Sequence, residues 1–384
     1  MNRLSPLPLL LLAALSPAAG AQQTYTIQDV GTMSATPSDD VLATGINNPG
    51  HVMGQNKKTN PSGLGEQQRS FLWDGAVQNE VFPSEVGSTW AGGLNDFDQC
   101  VGQDTVSAAR WLGFFWQGGV TTSDIDLGPH HWTFVRKINS HGSHGGDFYS
   151  DETYGFVYQY HAFLRARNGA WLDLGSLADN RSFFRDMNDL EEVVGVTGGL
   201  SGPSMGFHWT LSSGMVDLGT LGGNSCNPQV IDNLGRVAGE SQDLQARWRP
   251  FLYENSIMVD LGTLGGEEGI VSGMNDFGGM VGNAEDLAGV QHATLWENGV
   301  AVDLNGLIPP GTGWDLTGAK DINELGEICG TGWLNGLRRT YKLTPNLTRP
   351  RLSGFQPGLA DEENRIFGIG FTPGAAVEIH YGLV

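Results

Sequence analysis

Positive charge is scarce in this chain: 21 lysines and arginines stand against 42 aspartates and glutamates, a formal net charge of −21. A polyanion would be repelled, so nucleic acid is excluded as a partner. Charge of either sign is low, at 16% of residues, and 11 tryptophans are present. That combination excludes a disordered acidic tail. Cysteine is nearly missing. Cys100, Cys226 and Cys329 are odd in number and widely spaced, with no Cys-x-x-Cys pair and no Cys/His array. No disulfide framework or structural zinc site is expected, and the three thiols read as small buried hydrophobes. Neither His-Glu-x-x-His nor an EF-hand loop occurs. What is abundant is glycine, 57 of 384 residues, too many for a helical bundle and fitting for a turn-dense β protein with an ordinary core.

The only long apolar run is N-terminal. Met1-Asn2-Arg3 carries one positive charge, Leu4 to Leu15 are mostly apolar, and Ala19-Gly20-Ala21 is a small-residue triplet. Residues 1–21 therefore read as a secretory signal peptide, with Gln22 as the mature start. No later segment approaches the ~18 apolar residues of a membrane span. The mature protein is expected to be a secreted, soluble monomer.

Self-similarity is the main signal. Val216-Asp217-Leu218-Gly219-Thr220-Leu221-Gly222-Gly223 recurs almost letter for letter as Val259-Asp260-Leu261-Gly262-Thr263-Leu264-Gly265-Gly266, with weaker copies at Asp126, Asp173 and Asp303. A second element, an apolar residue followed by Asn or Asp and a short turn, occurs at Asn47, Asn95, Asn139, Asn188, Asp232, Asn275 and Asn323. These seven positions lie about 46 residues apart. The third element is an aromatic strand, as in Phe71-Leu72-Trp73, Phe114-Phe115-Trp116 and Phe207-His208-Trp209. Turns such as Asn275-Asp276-Phe277-Gly278 join short strands, because Asn and Asp side chains bond their own backbone and Gly accepts positive φ. The aromatic strand and the Val-Asp-Leu strand form a second hairpin, so each unit holds four strands.

Four strands per 40 to 50 residues is the spacing of a β-propeller blade. The expected fold is all-β: a seven-bladed propeller of four-stranded blades over residues 22–345. The seventh unit ends at Pro345 without a Val-Asp-Leu strand, whereas Tyr25-Thr26-Ile27-Gln28-Asp29-Val30-Gly31 opens the mature chain with that pattern. The N-terminal strand is therefore predicted to complete the last blade and hide its edge. Residues 346–384 read as a short β-rich C-terminal segment, an incomplete sandwich.

These repeats resemble the bacterial extracellular HAF repeat family, named for the His-Ala-Phe that stands here as His161-Ala162-Phe163 and, varied, as His292-Ala293-Thr294. The likeness runs from about Tyr25 to Pro345. It implies an extracellular repeat protein and no particular activity. Units one to three depart from the pattern: Asp98 replaces a turn glycine, Pro83-Ser84-Glu85 replaces the Asp-Leu-Gly segment, and the third unit lacks Val-Val-Gly.

Gly202-Pro203-Ser204-Met205-Gly206 matches Gly-x-Ser-x-Gly, but an aromatic strand follows it instead of the helix a nucleophile elbow requires. No catalytic residue is assigned. His141, His144 and Asp147 form a candidate metal set, since imidazole and carboxylate suit zinc, nickel or copper. The default for that segment is a solvated loop. The recurrent Asp126, Asp173, Asp217, Asp260 and Asp303 are expected to bond backbone at strand ends. Symmetry-breaking positions are the better guide to a site. Three residues before the repeated Asn stand Arg136, Arg185 and Lys320, against neutral residues in the other units. Trp90, Trp132, Phe183 and Trp314 precede them. Cations beside amphipathic aromatics make a surface for sugars or anionic ligands. The expectation is a non-enzymatic binding or scaffold module for carbohydrate or an envelope protein, without a cofactor. The competing expectation is a polysaccharide hydrolase or lyase at the channel mouth, using Asp186 and Asp321 as a carboxylate pair.

Overall fold

A computed structural model describes residues 23–32, 41–59, 66–81, 87–107, 110–125, 131–150, 159–177, 181–198, 202–297, 299–346, 351–352 and 368–369. The expected signal segment and most of residues 346–384 lie outside the described residues, as do Asp126 and Pro83-Ser84-Glu85.

Seven four-stranded antiparallel sheets follow one another along the chain. Their innermost strands are Leu42–Ile46, Thr89–Leu94, His131–Ile138, Ser182–Met187, Gly222–Ile231, Gly265–Met274 and Trp314–Ile322. Each neighbours the next around one axis, and the seventh neighbours the first. The outermost strand of the last blade is Tyr25–Gly31. It runs antiparallel to Leu337–Pro345, pairing Tyr25 with Pro345, Ile27 with Leu343 and Asp29 with Tyr341. The N-terminal strand thus closes a seven-bladed propeller, and the last blade's third strand has no free edge. After it, Arg351–Leu352 pairs with Gly368–Ile369 in a two-stranded sheet. No helix among the described residues is long and apolar enough to cross a membrane.

The repeated residues meet one another, which explains why they recur. The central residue of five of the seven aromatic strands, Phe71, Phe114, Phe163, Phe207 or Phe251, is fully buried. Each pairs with a glycine of the second strand: Gly54, Gly102, Gly146, Gly195 or Gly239. A Cβ on Gly195 would lie 2.7 Å from the Phe207 ring and 2.1 Å from the Phe183 carbonyl oxygen, so no side chain fits. Gly146 fills this place in the third unit despite its departure from Val-Val-Gly. In the second unit Asp98 adopts φ 56°, the left-handed conformation that Gly278 takes at 81°. These two departures change residues without changing their blades.

The repeated Asn joins the blades as well as making its turn. The Oδ1 of Asn188 accepts from the N–H groups of Leu190 and Glu192, while its Nδ2 donates to the Asp232 carbonyl of the next blade at 3.0 Å. Equivalent links run from Asn47 to Asn95, Asn95 to Asn139, Asn139 to Asn188 and Asn275 to Asn323. Asn323 Nδ2 then donates to the Asn47 carbonyl, 276 residues away, at 2.8 Å. Asp232 has no donor to give. There Arg236 pairs with the Asp232 carboxylate and donates from Nη2 to the Asn275 and Asp276 carbonyls at 3.4 and 3.0 Å. All seven junctions are therefore bridged at one end of the molecule. Buried polar groups require such partners.

The three cysteines are buried and free. Burial and Asp217, in that order, push the Cys226 thiol up to about 12, so it behaves as a small hydrophobe.

Candidate binding site at the channel mouth

In every blade the innermost strand slips register at the same point. The unpaired residue is Thr44, Gly92, Arg136, Arg185, Gln229, Ser272 or Lys320. A β-bulge re-aims side chains and increases local twist. The positions selected from sequence, Arg136, Arg185 and Lys320, are thus bulge residues of the channel-lining strands. Arg136 and Arg185 lie on adjacent blades, and Lys320 is exposed on the seventh. Arg136 donates from Nε to the buried Asp147 carboxylate, whose other oxygen accepts from the Phe184 N–H. Arg185 donates from Nε to Asn227 Oδ1 at 3.3 Å. Burial first, then the charge of Arg136, hold the Arg185 guanidinium below its usual pKa, against the pull of Asp147 and Glu240.

Towards the start of these strands lies a row of half-buried rings. Trp90 packs on Trp111 at 4.4 Å between centroids, and Trp111 on Phe134 at 5.8 Å. Trp132 stacks on Tyr149 at 5.3 Å, Tyr149 meets Tyr160 edge-on at 5.3 Å, and Tyr160 reaches Phe183 at 5.4 Å. The row crosses blades two, three and four, at the end of the channel opposite the Asn turns. Trp314 does not join it, lying edge-on against Tyr341 of its own blade. Trp111, Phe134, Tyr149 and Tyr160 escaped the sequence analysis. One signal could have found Phe134: counting back five residues from the repeated Asn gives Trp90, Phe134 and Phe183 in three successive units, then Asn227 in the fifth. Beyond Asn227 lie two carboxylates. Glu240 accepts from Asn227 Nδ2 at 2.8 Å, and its pKa is raised by burial and by Glu268.

The opposite end of the channel is different. A cavity of about 160 Å³ is lined there by Lys137, Asp186, Asp321 and a ring that includes Asp96, Asp189, Asp276 and Glu324. Asp186 and Asp321 are committed to structure: one oxygen of each accepts the N–H of Ile231 or Ile46 in the following blade, at 3.1 Å. Lys137 forms an ion pair with Asp186 at 3.1 Å. Burial opposes its charge, but Asp186 and Asp321 outweigh burial and hold the ammonium above its usual pKa. The carboxylate pair of the competing enzymatic expectation is a pair of blade-to-blade clasps.

The candidate metal set is not gathered. His144 and Asp147 are three residues apart on the strand His144–Ser150, so they project to opposite faces. His144 sits against Trp171 and its Nδ1 meets the Gly142 carbonyl, while Asp147 is taken by Arg136 and Phe184. His141 lies in the turn, its N–H donating to Asn139 Oδ1. No group of three or more potential ligands occurs among the described residues. Ser204 begins the strand Ser204–Thr210, so no nucleophile elbow forms. The recurrent aspartates do as expected: Asp173, Asp217 and Asp260 each accept the N–H of the glycine two residues on. Two of them have a second partner. His161 meets Asp173 at 2.9 Å and Arg249 meets Asp260 at 3.0 Å across the outer hairpin, which ties the His-Ala-Phe motif to the Asp-Leu-Gly motif.

Among solved structures the chain is similar to a puromycin-hydrolyzing peptidase from Mycobacterium tuberculosis, at 11% identity and TM-score 0.51, covering 82% of this chain and 56% of that one. It is also similar to a puromycin hydrolase, at 12% identity and TM-score 0.52, covering 88% and 58%. The β-propeller domain of a protease from Pyrococcus furiosus aligns at 8% identity and TM-score 0.40, covering 85% and 95%. The chain spans little more than half the length of the first two, and at such identity the likeness shows the propeller fold alone. No family model matches the chain. No curated protein matches it either.

Proposed function

We propose that this chain is an exported propeller that binds carbohydrate at the channel mouth formed by blades two to four. The observation that carries this is the row of half-buried rings from Trp90 to Phe183, placed where the sevenfold pattern breaks. Aromatic faces stack on the apolar faces of sugar rings, and neighbouring polar groups fix orientation. Here Arg185, Asn227 and Glu240 supply donors and acceptors beside the rings. The signal-like N-terminus and the HAF-like repeats support export. Binding without turnover fits because Asp186 and Asp321, the pair best placed in sequence for catalysis, are tied into the backbone.

A glycan array probed with the mature protein, with product analysis on every glycan that binds, tests this function. Binding without cleavage, lost in a Trp132→Ala/Tyr160→Ala variant, is expected. Cleavage of a bound glycan, or an array with no binding, overturns it.

A further inference from the structure

We propose that the sugar taken at this mouth carries a carboxylate, as a uronic acid does, and that Arg185 is the residue that binds it. This rests on the carbohydrate-binding function above and narrows its ligand class. Arg136 and Arg185 are the two guanidinium groups of the channel wall on adjacent blades, but they are not equivalent. Arg136 is spent on Asp147, and Asp147 is in turn filled by Arg136 and the Phe184 N–H. Among the described residues, the one hydrogen bond of Arg185 runs from Nε to Asn227 Oδ1, at 3.3 Å. Its two Nη groups, which with Nε make the fork that matches a carboxylate, have no such bond.

The nearby acids do not neutralise it. Asp147 and Glu240 pull its pKa upward, yet neither forms an ion pair with it, and Glu240 is held by Asn227 Nδ2. With its hydrogen bond going to the Asn227 amide, Arg185 has no ion-pair partner among the described residues of a protein of net charge −21. A half-buried cation in that state gains from an arriving anion more than an exposed one would.

Its position suits a sugar. Phe183, where the ring row ends, is two residues before Arg185 on the strand Ser182–Met187. A pyranose stacked on those rings presents the substituents of its edge towards the neighbouring wall, where a C6 carboxylate meets the guanidinium. Deeper in the channel Lys137 is paired with Asp186, and beyond it Asp96, Asp189, Asp276 and Glu324 repel anions. The layer of Arg185 is therefore where an anionic group stops. The acidic surroundings also favour a ligand with a single carboxylate over a polyanion.

Calorimetric titration with three disaccharides of one shape tests this: glucuronosyl-glucose, its methyl ester, and the neutral parent cellobiose. The acid is expected to bind about tenfold tighter than the ester or the parent, a difference of about 1.4 kcal/mol, and to weaken as salt is raised. Arg185→Gln should bring the acid down to the level of the ester, and a far-ultraviolet circular dichroism spectrum matching that of the native chain reports that the variant is folded. Arg185→Lys, with charge but no fork, should recover part of the preference. Equal binding of all three sugars to the native protein overturns the role of Arg185 and leaves carbohydrate binding standing. A preference for the acid that survives Arg185→Gln overturns the assignment to this residue. Binding of none of the three in a protein that binds no glycan on the array overturns both.

Discussion

The junction between blades five and six offers a sharp test of the clasp, because there the repeat has exchanged partners. Removing Arg236 leaves the Asp232 carboxylate, whose side chain is 1% exposed, without its ion partner. It also uncovers the Asn275 and Asp276 carbonyls. Breaking a buried pair from one side costs about 3 to 5 kcal/mol. The N–H groups of Leu234 and Arg236 still bond Asp232, so about 3 kcal/mol is expected for Arg236→Ala. The double change Asp232→Asn/Arg236→Ala recreates the arrangement of the other six junctions, in which an amide accepts from its own turn and donates across. It should recover about 2 kcal/mol of that loss, a favourable coupling within the range found for residues in one network. Urea unfolding of the native chain, both single variants and the double variant provides the cycle. If the double variant is no more stable than Arg236→Ala, the clasp does not depend on the amide donor and the explanation of the repeated Asn is wrong.

Three further outcomes follow from the same geometry. Burial, followed by Asp276 with smaller contributions from Asp232 and Asp96, raises Glu324 from 4.5 to about 8. The folded chain then binds this proton more tightly than the unfolded chain, so Glu324 lowers stability as pH rises from about 4.5 to about 8, by at most about 1.4 kcal/mol per pH unit. Unfolding measured against pH should show that slope in the native chain and lose it in Glu324→Gln; an unchanged slope refutes the assignment. Asn323→Ala removes the ring-closing bond to Asn47 and the acceptor for the Leu325 and Glu327 N–H groups. About 1 to 3 kcal/mol per orphaned buried group is expected in denaturant unfolding, and a loss under 0.5 kcal/mol contradicts it. Gly195→Val should be destabilised by 3 kcal/mol or more, since its side chain meets the Phe207 ring and the Phe183 carbonyl; a soluble variant with native thermal stability refutes the packing account.

Blade number, strand count and ring closure were legible because they rest on local patterns that recur along the chain, the Asn turn in all seven units. The Asn turn, the aromatic strand and the Asp-Leu-Gly strand each have short-range physical causes. The Tyr25–Gly31 strand could be placed because a pattern missing at one end of the chain was present at the other. The cross-blade donation by Asn was not legible, since the same side chain already has a sufficient role in its own turn. The Arg236 exchange becomes visible only when Asp232 and Arg236 are compared with Asn188 and Glu192 at matching positions. The site was half legible. Arg136, Arg185, Trp90 and Trp132 fall on one wall, but Lys320 and Trp314 lie on blade seven, because equal register in the repeat fixes depth along the channel and leaves the position around the axis to the blade number. His144 and Asp147 looked like neighbours in a loop and are on a strand, where three residues' spacing separates the faces.

The central claim is that ligand sits on the rings of blades two to four. Indole N–H resonances followed by nuclear magnetic resonance, as the best ligand from the glycan array is added, test it most directly. The signals of Trp90, Trp111 and Trp132 are predicted to move together and saturate, while those of Trp296, buried in blade six, and Trp314, on blade seven, stay in place. Movement confined to Trp314 or to other indoles, with those three unmoved at saturation, would contradict it.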